Sequence, residues 1–376
     1  MSLQGTGEST MYSLRILTSQ PLRLALTIGG ISLCIVLMLL LLGIYRGVAD
    51  GSVDYIRGNT VDLWVLRRNA TNILRGTSIL RSVHGQIIAQ VQGVRSASAV
   101  LLQLSTVKKE GTAATVFLTG FDPLTGVGGP PELVAGRSVH NDSEIVLDKS
   151  FAAKYQFEIG DKVEIQDVAF DVVGLSTGTN AFVIQYAFVS LRRAQALAGF
   201  PGIVTCFLIT CESPDTRSAI AQAIRDELPD LEAYDHETFL QNNIREMESG
   251  FLPLLYTIAV IGAVVLTAIL SLILSINILE RRKDFATMKA LGSSGAFLRR
   301  LIFELGTLIC AASSLAALGV FFPLTMLVEQ VTPEISTKSS PEQILYVILV
   351  VGLISICSSF ISIHRLRRIY PLEAFA

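Results

Sequence analysis

Four runs of apolar residues punctuate the chain, and each is close to the length that crosses a bilayer. They are Leu24–Tyr45 (LALTIGGISLCIVLMLLLLGIY), Phe251–Leu279, Leu301–Leu327 and Ile344–Ile363. About 20 helical residues, rising ~1.5 Å each, span the ~30 Å of hydrocarbon, so all four are expected to be transmembrane helices. A secretory signal is the rival reading of the first run, because Gly47-Val48-Ala49 imitates a small-residue cleavage site. Signal cores hold only about 7–15 apolar residues, and Arg46 interrupts the approach to that site, so a retained helix is expected.

The interval from Arg46 to Gly250 has a different texture. VDLWVLRR, Val61 to Arg68, reads as a strand, whereas Leu80, Val83, Ile87, Val91 and Val94 recur at helical spacing. SAVLLQLSTVKKEGTAATVFLTGF reads as a hairpin turning at Lys109-Glu110-Gly111. Further on, Ile203 to Thr210 is a strand, TRSAIAQAIRDEL a helix and LEAYD a short strand, so two β-α-β-like halves bracket the middle. That middle, about Asp122 to Phe200, holds DKVEIQDVAFDVVGL and FVIQYAFVSL and is expected to be a small, mostly β insertion. HETFLQNNIREMESG places Leu240, Ile244 and Met247 on one helical face and runs directly into the second apolar run. That run is already about 43 Å long as a helix, which tilt or a rigid stalk would accommodate; the stalk is the favoured reading.

The expected fold is therefore an α-helical membrane protein with four transmembrane helices and an extracytoplasmic α+β domain between helices one and two. In that domain a mixed β-α-β subdomain (57–121 and 201–235) carries the mostly-β insertion (122–200) and a stalk helix (236–250). Residues 1–23 form an elbow, 24–45 the first span with a stalk to about 56, and 251–279 the second span. Residues 280–300 form a loop, 301–327 the third span, 328–343 an outer loop, 344–363 the fourth span and 364–376 a tail.

Charge fixes which side each loop faces. Arg15 and Arg23 precede the first run, and Arg365, Arg367 and Arg368 follow the fourth. Six basic residues, Arg281, Arg282, Lys283, Lys289, Arg299 and Arg300, sit between the second and third. The loop EQVTPEISTKSSPEQ has only Lys338 against three glutamates. Under the positive-inside rule both termini and the basic loop are cytoplasmic and the long interval is outside. The composition agrees: 51% of the 376 residues are hydrophobic and only 16% charged, where soluble domains carry about 25%. Cys206 and Cys211, the only cysteines outside the apolar runs, would stand about 16 Å apart on opposite faces of a strand, so no internal disulfide is expected.

Motifs for chemistry are missing. No segment fits G-x-x-x-x-G-K-[ST]; GVGGPPEL and LGSSGA both lack the lysine. The four histidines are scattered, and no cysteine pair has zinc spacing. No cofactor or metal is expected in this chain, and nothing points to nucleic acid. Glu304 lies one turn into the third span, four residues after Arg300, and is expected to pair with it or to reach the headgroups. Ser355, Ser358, Ser359 and Ser362 mark a polar stripe on the fourth span, and Gly29, Gly30, Gly262, Gly306 and Gly319 are small positions where helices could approach closely. Packing within one chain is the plainer use of these positions, an oligomer interface the other.

The basic loop has internal design. Phe285, Met288 and Leu291 recur at three-residue spacing with Arg282, Lys283 and Lys289 around them, and Gly292 is a good helix stop. A headgroup-binding loop needs only positive charge. A short helix with an apolar side suits insertion into a groove on a cytoplasmic partner.

ERRKDFATMKALGSSGAFLRR resembles the loop of the MacB/FtsX-like permeases of type VII ABC transporters, whose pattern is E-R-x-x-E-x-x-x-L-R-A-L-G. Glu280, Arg281, Lys289, Leu291 and Gly292 match, with Asp284 and Met288 as conservative departures. HRLRRIYPLEAFA is similar to the family's tail ending P-x-E-A, at Pro371, Glu373 and Ala374, and MYSLRILTSQPLRLALTIGGI to its amphipathic elbow. The layout is nearest to the DevC-like subgroup. The resemblance implies a permease subunit without its own nucleotide site, pairing with a second copy, in a bacterial inner membrane. A separate cytoplasmic ATPase would bind ATP and Mg and dock on Phe285, Met288 and Leu291, oriented by Arg281, Arg282 and Lys289, with Glu280, Lys283 and Gly292 completing the coupling loop. Its work would pass through the stalks to the external domain, exporting a lipid, glycolipid, peptide or drug-like cargo with a periplasmic adaptor and an outer-membrane channel. An FtsX-like regulator of a cell-wall hydrolase and a LolC/E-like lipoprotein-releasing subunit are the alternatives; the two-part external domain favours export.

Overall fold

In the computed structural model, which describes residues 21–73, 78–109, 112–181, 184–280, 287, 295–331 and 340–366, long apolar helices and a mixed sheet fall into separate units. The membrane unit takes the chain up to Ile44, Leu252–Leu327 and Thr337 onward; the external unit takes Tyr45–Phe251 and Val328–Ser336. The expected elbow before Pro21, the turn at Glu110-Gly111, positions 332–339 of the outer loop and the tail after Leu366 lie outside the described residues.

Helix α1 (Pro21–Gly58) supplies residues to both units. The external unit continues with β1 (Leu63–Arg67), β2 (Leu80–Arg81), α2 (Val83–Ile88) and β3 (Val94–Lys109). Next come β4 (Thr112–Phe121), β5 (Glu132–Gly136), β6 (Glu144–Asp148), α3 (Lys149–Tyr155), β7 (Lys162–Ile165), β8 (Val168–Thr177), β9 (Asn180–Ala181), β10 (Ile184–Ser190) and α4 (Leu191–Ala198). The chain returns through β11 (Ile203–Val204), β12 (Cys206–Cys211), α5 (Arg217–Glu227) and β13 (Leu231–Asp235) to α6 (His236–Glu280).

Strands β13, β1, β12 and β3 lie side by side, each antiparallel to its neighbour. Strands β1 and β3 are therefore parallel with β12 between them, and β12 and β13 are parallel with β1 between them. These are two split β-α-β units, the ferredoxin-like arrangement, and they account for the two halves read in the sequence. Alternation sorts the side chains. Leu63 and Val65 join a core with Ile88, Ile220 and Ile224, under α2 and α5, while Trp64 and Leu66 face a second core on the other side. Cys206 and Cys211 fall into these opposite cores as free thiols.

Strand β3 is the link to the rest. Its first part, to Val100, pairs with β12, and from Leu101 it pairs with β4. The sheet then continues through β10, β6, β8 and β5, with β10 parallel to β4 and β6 parallel to β8. Val116, Leu147, Phe151, Phe170 and Val189 fill the core of this second lobe. Strand β4 pairs with β3 on one side and with β10 on the other, so the β3–β4 hairpin joins the two parts of the sheet.

Two local expectations change. The helix expected from Leu80 to Val94 is cut to Val83–Ile88, because Leu80 pairs with Val204 in β2 and Val94 with Cys211 in β3. Ile88 is its buried residue, while Val83 is 47% exposed. Gly85 lets this helix sit against Phe207, whose ring would stand 2.7 Å from a Cβ. The strand expected over 203–210 breaks at Thr205, which leaves β2 for β3: its amide donates to Val100 O (2.7 Å) and its Oγ1 accepts from the Leu102 amide (2.9 Å).

In the membrane unit, the N-terminal part of α1, the later part of α6, α7 (Gly295–Val331) and α8 (Pro341–Leu366) are long and apolar enough to cross a bilayer. Ile31, Ile35, Leu39, Leu266, Leu270, Leu305, Phe321 and Val351 form their common core. Hydroxyls bond within and between helices: Ser32 Oγ donates to Ser313 O (2.9 Å) and Ser358 Oγ to Thr267 O (3.3 Å). A Cβ on Gly29, Gly30 or Gly319 would meet nothing within 4 Å among the described residues.

Two carboxylates organise the second lobe. Glu144 accepts from both terminal nitrogens of Arg137 (2.7 and 2.6 Å), from the His140 amide (2.9 Å) and from Asn141 Nδ2 (2.7 Å). The Arg137 hydrogen bonds outweigh the cost of burial and pull its pKa from 4.5 to about 2. A depressed carboxylate stabilises the fold above its unfolded value, and this contribution is lost as pH falls from about 4.5 through about 2. Glu144→Gln is expected to lower the unfolding temperature at neutral pH, with the gap to the unmodified protein narrowing as pH drops below about 4.5; emission of Trp64 reports it, and a gap of constant size would refute the assignment. Asp148 caps α3 through the amides of Ser150 (2.8 Å) and Phe151 (3.2 Å) and accepts from the buried Thr179 hydroxyl, while burial pushes its pKa up. Asp148→Ala should cost about 1–2 kcal/mol in denaturant unfolding, and Asp148→Asn less.

Candidate functional site

Of the loop singled out in the sequence, Glu280 closes α6 and is exposed. Arg281, Arg282, Lys283, Phe285, Met288, Lys289, Leu291 and Gly292 lie outside the described residues. On α7, Arg300 Nε stands 3.0 Å from Glu304 Oε1, one turn away. With the arginine side chain 49% exposed, such an i,i+4 pair contributes roughly 0.3–0.5 kcal/mol and serves to neutralise Glu304.

The external unit holds a site that no motif announced. It receives two stalk segments, the end of α1 from Tyr45 and the start of α6 up to Phe251. Both insert aromatic side chains into the core on the Trp64 side of the sheet. Tyr55 stacks on Tyr186 of β10, with centroids 4.8 Å apart and planes at 18°. On its other flank it meets Trp64 of β1 at 6.4 Å and 69°, edge to face. Trp64 in turn stacks on Phe239 of α6, at 4.9 Å and 21°. Tyr186 continues the series to Phe188 (6.1 Å) and Phe117 (5.7 Å). Trp64, Tyr55, Tyr186, Phe188 and Phe239 are all nearly or fully buried.

Polar groups pin this series. Tyr55 donates to Gly128 O (2.7 Å), and Asn59 accepts from the Gly128 amide (3.0 Å) while donating to Tyr55 O (2.9 Å). Asn243 accepts from the Ile73 amide (3.0 Å) and donates to Phe239 O (2.8 Å). Trp64 Nε1 donates to His236 Nδ1 (3.4 Å). Start-up of α6 is fixed by Asp235, which accepts from the Thr238 amide (2.9 Å) and hydroxyl (2.6 Å). Lower on the stalks, Tyr45 donates to Glu248 Oε1 at 3.4 Å. Burial pushes the Tyr55 and Tyr186 hydroxyls up and the Cys206 thiol to about 12, so none of them titrates near neutrality. What the arrangement does is pack both stalk segments against one face of the sheet.

Sequence patterns did not point to these residues because they come from six separate segments. Two signals were present: Trp64 is the sole tryptophan, and GVGGPP, which fails as a phosphate loop, is glycine-rich for another reason. A Cβ on Gly128 would stand 2.3 Å from Val100 Cγ2, and one on Gly58 2.3 Å from Pro131 Cβ, so the loop closes on the stalk only with glycine at both places.

The family description "MacB-like periplasmic core domain" matches residues 24–227, more than half of the chain, and "FtsX-like permease C-terminal" matches residues 256–371. The uncharacterized ABC transporter permease Rv0072 of Mycobacterium tuberculosis is 25% identical over 316 residues, covering 81% of this chain and 85% of its own. The uncharacterized ABC transporter permease Mb2592 of Mycobacterium bovis is 21% identical over 314 residues with the same shares, 81% and 85%. Among solved structures, the periplasmic region of MacB from Actinobacillus actinomycetemcomitans aligns at 14% identity and a TM-score of 0.41, over 50% of this chain and 94% of that one. The extracellular domain of the noncanonic ABC-type transporter YknZ from Gram-positive bacteria aligns at 13% identity and a TM-score of 0.36, over 46% of this chain and 98% of that one. With both domain types present in one chain and in this order, the protein belongs to the MacB/FtsX-like family of ABC transporter permeases.

Proposed function

We propose that this permease transmits work mechanically: ATP hydrolysis by a separate cytoplasmic ATPase changes the conformation of the external unit. The observation that carries the reading is the firm attachment of both stalk segments to the external core, through Tyr55 and Phe239. Those segments end helices of 38 and 45 residues, roughly 57 and 68 Å long, far beyond the ~30 Å that a bilayer requires. A helix that had only to span would gain nothing from such an extension and anchorage.

In this reading a second copy pairs with the first, and ATP and Mg are held by the ATPase. The ATPase docks on Phe285, Met288 and Leu291, with Arg281, Arg282 and Lys289 orienting it and Glu280, Lys283 and Gly292 completing the coupling loop. Cargo is of the lipid, glycolipid, peptide or drug-like class and leaves with the help of a periplasmic adaptor and outer channel. The two-lobed external unit supports export over regulation of a hydrolase.

Phe285→Asp combined with Met288→Asp is expected to abolish co-purification of the ATPase in mild detergent while membrane insertion stays intact. Retention of the ATPase by the double variant would remove the docking assignment, and absence of any ATPase from the unmodified protein would remove the whole reading. The orientation is checked separately: in intact cells an impermeant amine reagent should leave Lys289 unlabelled and react with Lys162, whose side chain is 75% exposed.

A further inference from the structure

The two stalk segments hold different lobes. The end of α1 faces second-lobe elements: Tyr55 lies on Tyr186 of β10, and Gly128 and Pro131, between β4 and β5, close on Tyr55, Asn59 and Gly58. The start of α6 faces first-lobe elements: Phe239 lies on Trp64 of β1, and Asn243 holds the Ile73 amide, just beyond that strand. These two sets of contacts meet edge to face at Tyr55 and Trp64. Each lobe also has a private core on the far side of its sheet, under α2 and α5 in one case and around Phe151 and Phe170 in the other. The lobes are joined by β3, which changes partner from β12 to β4 between Val100 and Leu101, by the aromatic series itself, and by α4, where Gln195 Nε2 donates to Ser82 Oγ (3.2 Å) and Ile203 O (2.8 Å) and Leu191 packs against both flanking cores.

We infer that Tyr55 and Trp64 are positioning residues that turn a change in the separation of the stalk segments into a change in the angle between the two lobes, about β3. The inference rests on the coupling reading above and adds where the motion goes. Close-packed aromatic faces transmit displacement because interiors are nearly as dense as crystals and yield little to compression. Moving the end of α1 against Tyr186 therefore carries β10 and the β4–β5 segment with it, while α6 carries β1. The covalent passage from α1 into β1 does not bypass this joint. Asn59 stands at that corner and is tied to Gly128, on the second-lobe side. The strand between the lobes is the compliant element: at Val100–Leu101 it has left one partner and begun the next.

The test uses the full-length permease with the ATPase that co-purifies with it, in lipid nanodiscs. Spin labels are placed at Ser218→Cys in the first lobe and Glu164→Cys in the second, both exposed sites, with the exposed thiol removed by Cys357→Ser. Trapping with MgATP and vanadate is expected to shift the distance between labels and to change the emission of Trp64, read as the difference from a Trp64→Phe complex. Tyr55→Leu and Phe239→Leu should each cut the distance shift to less than half, while Tyr55→Phe, which keeps the stacked ring, should retain it. A merely structural tyrosine would alter stability without separating Leu from Phe in this way. If the shift survives in both leucine variants, or if Trp64 responds while the lobes keep their distance, the inference fails and the coupling reading stands. If neither the distance nor Trp64 responds in the unmodified complex, the coupling reading fails and the inference with it.

Discussion

A helix that leaves the membrane and continues into a folded domain must end in something that holds it, and here the hold is aromatic burial. Tyr55 and Phe239 enter one core from two stalk segments and meet around Trp64. Burying a large aromatic side chain stabilises by about 2–3 kcal/mol, and a well-placed aromatic pair adds about 0.5–1.5 kcal/mol. The Tyr45–Glu248 hydrogen bond, at 3.4 Å, is well beyond the usual O–H···O distance and correspondingly weakened. The aromatic contacts are therefore the closer-packed hold between the segments, and the long hydrogen bond is the weaker one.

The sheet is built around that hold. Ferredoxin-like topology places β1 at an inner position, with β13 and β12 on either side, so Trp64 cannot shift without both neighbours. Its opposite face is covered by α2 and α5, which leaves the Trp64 face for the stalks. The second lobe enters as an extension of β3 and reaches the same core through Tyr186 and Phe188. Gly58 and Gly128 give the backbone clearance for this, and the Gly128 carbonyl and amide that close approach buries are satisfied by the Tyr55 hydroxyl and the Asn59 side-chain oxygen. Close approach and polar satisfaction thus fall on the same few residues, so neither can be altered alone.

What the sequence made legible follows from how local each signal is. The four spans are visible because lipid demands a continuous apolar run, a constraint that needs no partner. Strand β1 and the β3–β4 hairpin are visible because alternation and a short turn are properties of one segment. The helix drawn over Leu80 to Val94 failed for the converse reason. Its apolar spacing was shared among β2, α2 and β3, and β2 owes its existence to β11, more than a hundred residues later. The joint was hard to read on the same ground: beyond Trp64 being the sole tryptophan, nothing groups Tyr55, Tyr186 and Phe239 with it until the sheet brings them together. Most of the basic loop between the second and third spans falls outside the described residues, and its reading rests on the sequence pattern alone.

Transmission along a helix asks for stiffness at both ends, and the two stalks differ in this respect. Helix α1 contains no proline after Pro21 at its start, so its backbone hydrogen bonds can run unbroken to Gly58. Helix α6 carries Pro253, whose missing N–H removes one bond to the preceding turn and whose ring crowds the carbonyl four residues earlier. A proline at that place makes α6 the easier of the two to bend. Under the proposed coupling, α1 then acts as the rod and α6 as the tether. The side that moves first in the external core is the one Tyr55 touches, β10 and the Gly128 segment, while Trp64 and Phe239 hold the first lobe as the reference against which it moves.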